Sequence, residues 1–176
     1  MSIRGAFLAV TLLAMLPVFA DGRSAEDAVM ETWSAARQGS PENFLGSLDR
    51  STSEGLLAMC EEYLDILRSL SAPELFLLFA AMRLEATPGE VEYWDGRSVL
   101  ELMLTAPAHS YFLENSIMVI DSLQEGEDLC QVSFTIRDPY GHRTSLSLPV
   151  VMDGGGWRVS GLDTLMTTMI EDSFYY

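Results

Sequence analysis

The hydrophobic period of this chain changes once, just past His109, and that change restricts the folds open to it. Before it, apolar residues recur at spacings of three and four; after it, they alternate with polar residues. The first spacing is that of a helix and the second that of a half-buried strand. On the helical side, Ala28 to Ala36 predicts a helix with Val29, Trp33 and Ala36 on its apolar face, ended by Gly39. Ser40-Pro41-Glu42-Asn43 then opens a short second helix leading into Phe44, Leu45 and Leu48, with a capping hydroxyl and Pro at the first helical position. From Ser53 to Leu70, the residues Leu56, Met59, Cys60, Tyr63, Leu67 and Leu70 form an amphipathic stripe. Ser71 and Glu74 have capping-box spacing, and Leu75 to Met82 is apolar nearly all round, which predicts a helix sandwiched between other elements. A further helix begins near Ser98 and is stopped by Pro107.

On the alternating side, Ile117 to Ile120 opens a strand. Cys130, Val132, Phe134 and Ile136 share one face of a second, and Leu146, Leu148, Val150 and Met152 one face of a third. Pro149 demands an edge position or a bulge. Gly154-Gly155-Gly156 turns into a fourth strand at Trp157-Arg158-Val159, and Leu162 to Ile170 has the spacing of a short closing helix with Asp163 as a possible cap. Short turns between successive strands make a meander. The expected fold is therefore α+β, with N-terminal helices packed on a curved four-stranded antiparallel meander and a short C-terminal helix.

Residues 1–20 read as a signal peptide. Arg4 precedes an apolar stretch from Ala6 to Phe19, shorter than the ~20 residues a spanning helix needs, and Pro17-Val18-Phe19-Ala20 supplies a break and a small-residue end. Cleavage is expected after Ala20, leaving residues 21–176 as a single secreted or periplasmic domain with no stable membrane span. The chain carries 10 basic residues against 26 acidic ones, a formal charge of −16, and every basic residue is Arg. Such a balance repels polyphosphate and strongly anionic bilayers, which excludes nucleic acid as a natural partner.

Catalytic signatures are absent. There is no Gly-x-Ser-x-Gly, no Ser-x-x-Lys, no Lys for Schiff-base chemistry, and no His, Cys, Asp or Glu set with metal-ligand spacing, so neither a metal nor a cofactor is expected. His109 and Tyr111 are the acid-base candidates, against a simpler reading in which His109 interacts with the preceding helix end. Glu90, Glu92 and Asp95 flank Tyr93-Trp94 and could hold a cation or a sugar, or be merely solvated. Cys60 and Cys130, the only cysteines, both fall on apolar faces. They are either a disulfide, worth about 4 kcal/mol for a loop of about 70 residues, or two buried thiols acting as small hydrophobes.

Two segments carry a family resemblance. Ala28 to Gly39 running into Pro41-Glu42-Asn43-Phe44-Leu45, and Leu148-Pro149-Val150-Val151-Met152-Asp153-Gly154-Gly155-Gly156-Trp157-Arg158-Val159, resemble the opening helices and closing hairpin of the cone-shaped superfamily named after nuclear transport factor two. That superfamily includes ketosteroid isomerase-like and polyketide cyclase-like members. The resemblance implies a pocket between sheet and helices, here expected among Trp33, Tyr63, Phe79, Val132 and Phe134. The leading expectation is a non-enzymatic domain, monomeric or homodimeric, that binds a small apolar ligand or an envelope protein. The alternative is an isomerase- or dehydratase-type enzyme using acid-base residues in that pocket. A homodimer formed through the outer sheet face is a third reading, although Gln131, Ser133, Thr135, Ser145 and Ser147 make that face polar.

Overall fold

A computed structural model describes residues 24–124 and 126–163. The signal-peptide segment, and the closing helix beyond Asp163, lie outside the described residues. Among the described residues six α-helices precede the sheet: α1 (Ala25–Arg37), α2 (Pro41–Gly46), α3 (Arg50–Ser69), α4 (Ala72–Met82), α5 (Gly96–Thr105) and α6 (Pro107–Asn115). A 3-10 turn at Pro88–Tyr93 links α4 to α5. Strands β1 (Ile117–Gln124), β2 (Leu129–Arg137), β3 (Arg143–Asp153) and β4 (Gly156–Val159) form one antiparallel sheet in the order β1-β2-β3-β4. The fold is α+β, helices first and meander second, as the change of period implies.

Local chemistry sets most of these boundaries. Ser24 caps α1 in a full capping box with Asp27, Ser40 caps α2, and Asp49 caps α3. Gly39, at φ +64°, turns the chain between α1 and α2; a Cβ there would also come within 2.8 Å of Thr105 Cγ2. Pro107 both ends α5 and starts a further helix at its first position, so the chain from Pro107 to Asn115 is helical where the sequence places only the approach to a strand.

Helix α1 lies across the sheet and buries Ala25, Ala28, Val29, Thr32, Ala35 and Ala36. Trp33 is only half-buried at the edge of this face. The buried face is thus dominated by small residues, which let helix and sheet approach closely, and not by the Val29-Trp33-Ala36 stripe. On the sheet, Cys130, Val132, Phe134, Leu148, Val150 and Val159 are buried, and they join Leu56, Cys60 and Leu64 of α3, Leu75 and Phe79 of α4, and Val99 and Leu100 of α5 in one continuous core. Pro149 sits in a central strand, yet its own position is an edge: β4 pairs with β3 only from Val150 to Asp153. The Pro149 carbonyl accepts the Ser160 N–H at 2.9 Å, so its donorless nitrogen also faces that side, past the end of β4.

Candidate functional site

The Asp49 corner joins the two halves of the chain. Leu48 forms a parallel bridge to Val159; the Val159 N–H donates to the Ser47 carbonyl, and the Asp49 N–H to the Val159 carbonyl at 2.9 Å. The carboxylate of Asp49 accepts the Thr52 N–H at 2.8 Å and the Thr52 hydroxyl at 3.1 Å, and Thr52 Oγ1 accepts the Gly161 N–H at 2.9 Å. Burial works to raise the Asp49 pKa, but the bonds from Ser160, Thr52 and the backbone of Ser51 outweigh it and hold the carboxyl below its ordinary value. Buried, and bonded through both carboxylate oxygens, this group acts as a structural clamp.

The sequence-derived acid-base pair is not assembled. His109 lies on α6, and its Nδ1 is 2.8 Å from the Met103 carbonyl oxygen, so Nδ1 is the protonated nitrogen and donates to the end of α5. Tyr111, two residues on and 53% exposed, projects from a different side of the helix. The simpler reading, in which His109 serves the preceding helix end, describes this geometry. Of the acid-rich connector, Glu90 accepts the Thr87 N–H and Asp95 caps α5, while Trp94 stacks on Phe79 with ring centroids 5.7 Å apart. No group of three or more His, Cys, Asp or Glu among the described residues is placed to hold a metal.

The proposed pocket residues fall in the interior. Phe79, Val132 and Phe134 are buried, Tyr63 packs partly buried against the same core, and Trp33 stays at its margin. Cys60 and Cys130 are both buried and unbridged. Burial, helped by the neighbouring charge of Glu61, pushes the Cys60 thiol up to about 11, and the Cys130 thiol donates to the Gly126 carbonyl at 3.8 Å.

The clefts lie elsewhere. One, of about 550 Å³, is polar and open, and runs between α1, α2 and β4 past Glu31, Gln38, Glu42, Asn43 and Arg158. The other, of about 490 Å³, lies where the end of α3, α4 and the 3-10 turn meet, with Leu70, Leu75 and Val91 in its walls and Arg68 and Glu92 at its rim. The outer sheet face is polar. Its hydroxyls satisfy one another: Gln131 Nε2 donates to Ser147, Ser133 bonds Ser147 at 3.1 Å, and Thr135 bonds Ser145 and donates to Asp121.

The helix that contributes Ala72 and Leu75 to the second cleft carries an unusual surface on its other side. Helix α4 is not sandwiched. It buries Leu75 and Phe79 and rests on the 3-10 turn, while Phe76 and Leu77 remain 65% and 68% exposed beside exposed Pro73, Ala80 and Ala81. At 100° per residue Pro73, Leu77, Ala80 and Ala81 lie on the side opposite Leu75 and Phe79, with Phe76 at one margin and the exposed capping acid Glu74 at the other. Periodicity predicted the all-round apolar character but not what would cover it, because composition does not say which neighbours a helix meets. The helix is nonetheless held firmly at its ends. Ser71 and Glu74 form the capping box, and the Leu84 and Arg83 N–H groups donate to the Phe79 and Ala80 carbonyls in a Schellman closure, with Arg83 at φ +56°. No protein-family model, curated protein or solved structure matches the chain.

Proposed function

We propose that this chain is an extracytoplasmic, non-catalytic binding domain whose docking element is α4. The observation that carries the reading is the outward face of that helix, where Phe76 and Leu77 are two-thirds exposed on a well-capped helix. Contiguous apolar surface of this kind costs solvation and solubility unless a partner covers it. The cleft of about 490 Å³ that touches the helix at Ala72 and Leu75 lies in the size range of small-ligand sites and has Leu70, Leu75 and Val91 in its walls. Residues 1–20 support export, and the helix-then-meander order is in keeping with the nuclear transport factor two-like resemblance. Fold alone does not choose between binding and catalysis. The placement of His109 and Tyr111 on different sides of α6 favours binding over the isomerase or dehydratase reading.

A photoreactive amino acid at position 77, compared with one at position 145 on the outer sheet face, tests this in the producing cells. The expected result is a protein adduct on irradiation at 77 and none at 145. Equal labelling at both positions, or none at 77, overturns the reading.

A further inference from the structure

We infer that Arg137 and Arg143, at the β2–β3 hairpin end on the outer face of the sheet, form a binding site for a phosphate monoester carried on an aliphatic chain. The site is separate from α4. The two arginines are cross-strand partners, so their side chains leave the same face. One position further on, the Asp138 N–H donates to the His142 carbonyl at 3.0 Å. Arg137 and Arg143 are therefore a non-hydrogen-bonded pair, the kind whose side chains stand closest, with Cβ atoms about 5 Å apart. Like charges directly opposite one another destabilise a sheet. The chain has 26 acidic residues to set against 10 basic ones, yet these two arginines are exposed and have no ion-pair or hydrogen-bond partner among the described residues. The acid next in sequence is engaged within the loop. One Asp138 oxygen accepts the N–H groups of Tyr140 and His142 at 2.9 and 2.8 Å, and the other lies 2.9 Å from His142 Nδ1. Asp121, further along the outer face, accepts the Thr135 hydroxyl at 2.6 Å.

The chemistry of the ligand follows from the donors and their surroundings. Two guanidinium forks side by side offer paired N–H groups to one acceptor. A tetrahedral oxyanion has oxygens enough for both forks, whereas the two oxygens of a carboxylate are filled by one. Beside the arginines, the otherwise polar face turns apolar along β1. Ile117 is the cross-strand partner of Arg137, Val119 lies two residues on, and they are 58% and 55% exposed. These two side chains give an apolar track that starts at the guanidinium pair. Net charge narrows the choice further. The formal charge of −16 repels polyanions and anionic bilayers. Screening over about 8 Å at physiological ionic strength leaves a single oxyanion at the hairpin answering mainly to the arginines that touch it. One tetrahedral head, one apolar body and no second charged group describe a phosphate monoester on an aliphatic chain.

Calorimetric titration of the protein purified from the producing cells with octyl phosphate is the test. Octanol and inorganic phosphate serve as the two halves of the probe, and phosphatidylcholine vesicles containing phosphatidic acid as the bilayer source of the same head group. Octyl phosphate should bind at least about fivefold more tightly than either half and weaken as sodium chloride is raised, and the vesicles should not bind. Arg137→Gln and Arg143→Gln should each lower the affinity at least about tenfold. Arg137→Lys, which keeps the charge and loses the fork, should lower it about threefold. Leu77→Ala, on α4, should leave it unchanged. Removing one of two opposed like charges should hold the thermal midpoint of Arg137→Gln at or above that of the parent, so loss of binding there is not loss of fold. Octyl phosphate binding that survives both glutamine variants, or octanol binding of equal strength, overturns the arginine site. Equal binding of inorganic phosphate overturns the aliphatic chain, and vesicle binding tighter than that of octyl phosphate overturns the single-molecule ligand in favour of a membrane surface.

Discussion

At the scale of single residues, the polar groups of this protein are occupied by structure. Asp49 is the clearest example, since one carboxylate caps α3 and, through Thr52, holds the chain that leaves β4. Asp49→Ala should cost about 2 kcal/mol in urea unfolding, and Asp49→Asn less, because an amide oxygen can still accept the Thr52 N–H. The pH dependence has a definite sign. The folded pKa lies below the ordinary value of 3.8, so the stabilisation is complete above that value and is lost as pH falls through the lower, folded pKa. In Asp49→Asn that acid-side loss should shrink, as read from unfolding midpoints between about pH 2 and pH 5. Cys60 makes a second residue-scale prediction. A thiol raised to about 11 and fully enclosed should resist iodoacetamide at pH 8 in the native protein and react once urea opens the core. With Cys60 and Cys130 unbridged, two alkylations per chain are expected without prior reduction. Spacing put Cys60 on the apolar face of its helix and offered His109 the preceding helix end, but that the Met103 carbonyl is the partner of His109 was decided by packing.

At the scale of elements, α4 holds together two properties that usually exclude each other, a sequence apolar on every side and a largely exposed position. Its caps resolve the conflict. The Ser71–Glu74 box and the Schellman closure supply helix stability locally, so the helix does not depend on burying its second face. Arg83 occupies the left-handed position of that closure, where an L side chain is strained and glycine is not. Arg83→Gly should therefore raise stability by about 0.5–1 kcal/mol, measured by thermal or urea unfolding, provided the exposed Arg83 side chain adds little of its own. Capping was also the most readable sequence signal: Ser40 and Ser71 are caps as their spacing implies, and Pro107 breaks one helix. The same residue starting α6 was not legible, since a proline fits the first turn of a new helix as well as the end of an old one.

At the scale of the whole molecule, stability is unevenly distributed. The core stripe Leu56, Cys60 and Leu64 and the β2–β3 pair lie at its centre, whereas α4 touches the rest through Leu75, Phe79 and the 3-10 turn. Hydrogen exchange should show the amides of α4 opening well before those of α1, β2 and β3. The intact mass of the exported protein should correspond to residues 21–176 if the N-terminal segment is removed after Ala20. The sequence by itself determined the α+β class, the strand order of the meander and the helix starts at Ser40 and Ser71, because period, turn residues and caps act between neighbours in the chain. Only the tertiary structure decided that Phe79, Val132 and Phe134 fill the interior, that Asp49 clamps helix to strand, and that Phe76 and Leu77 face outward. Which apolar surface is covered depends on contacts between residues far apart in sequence, and no local pattern encodes those.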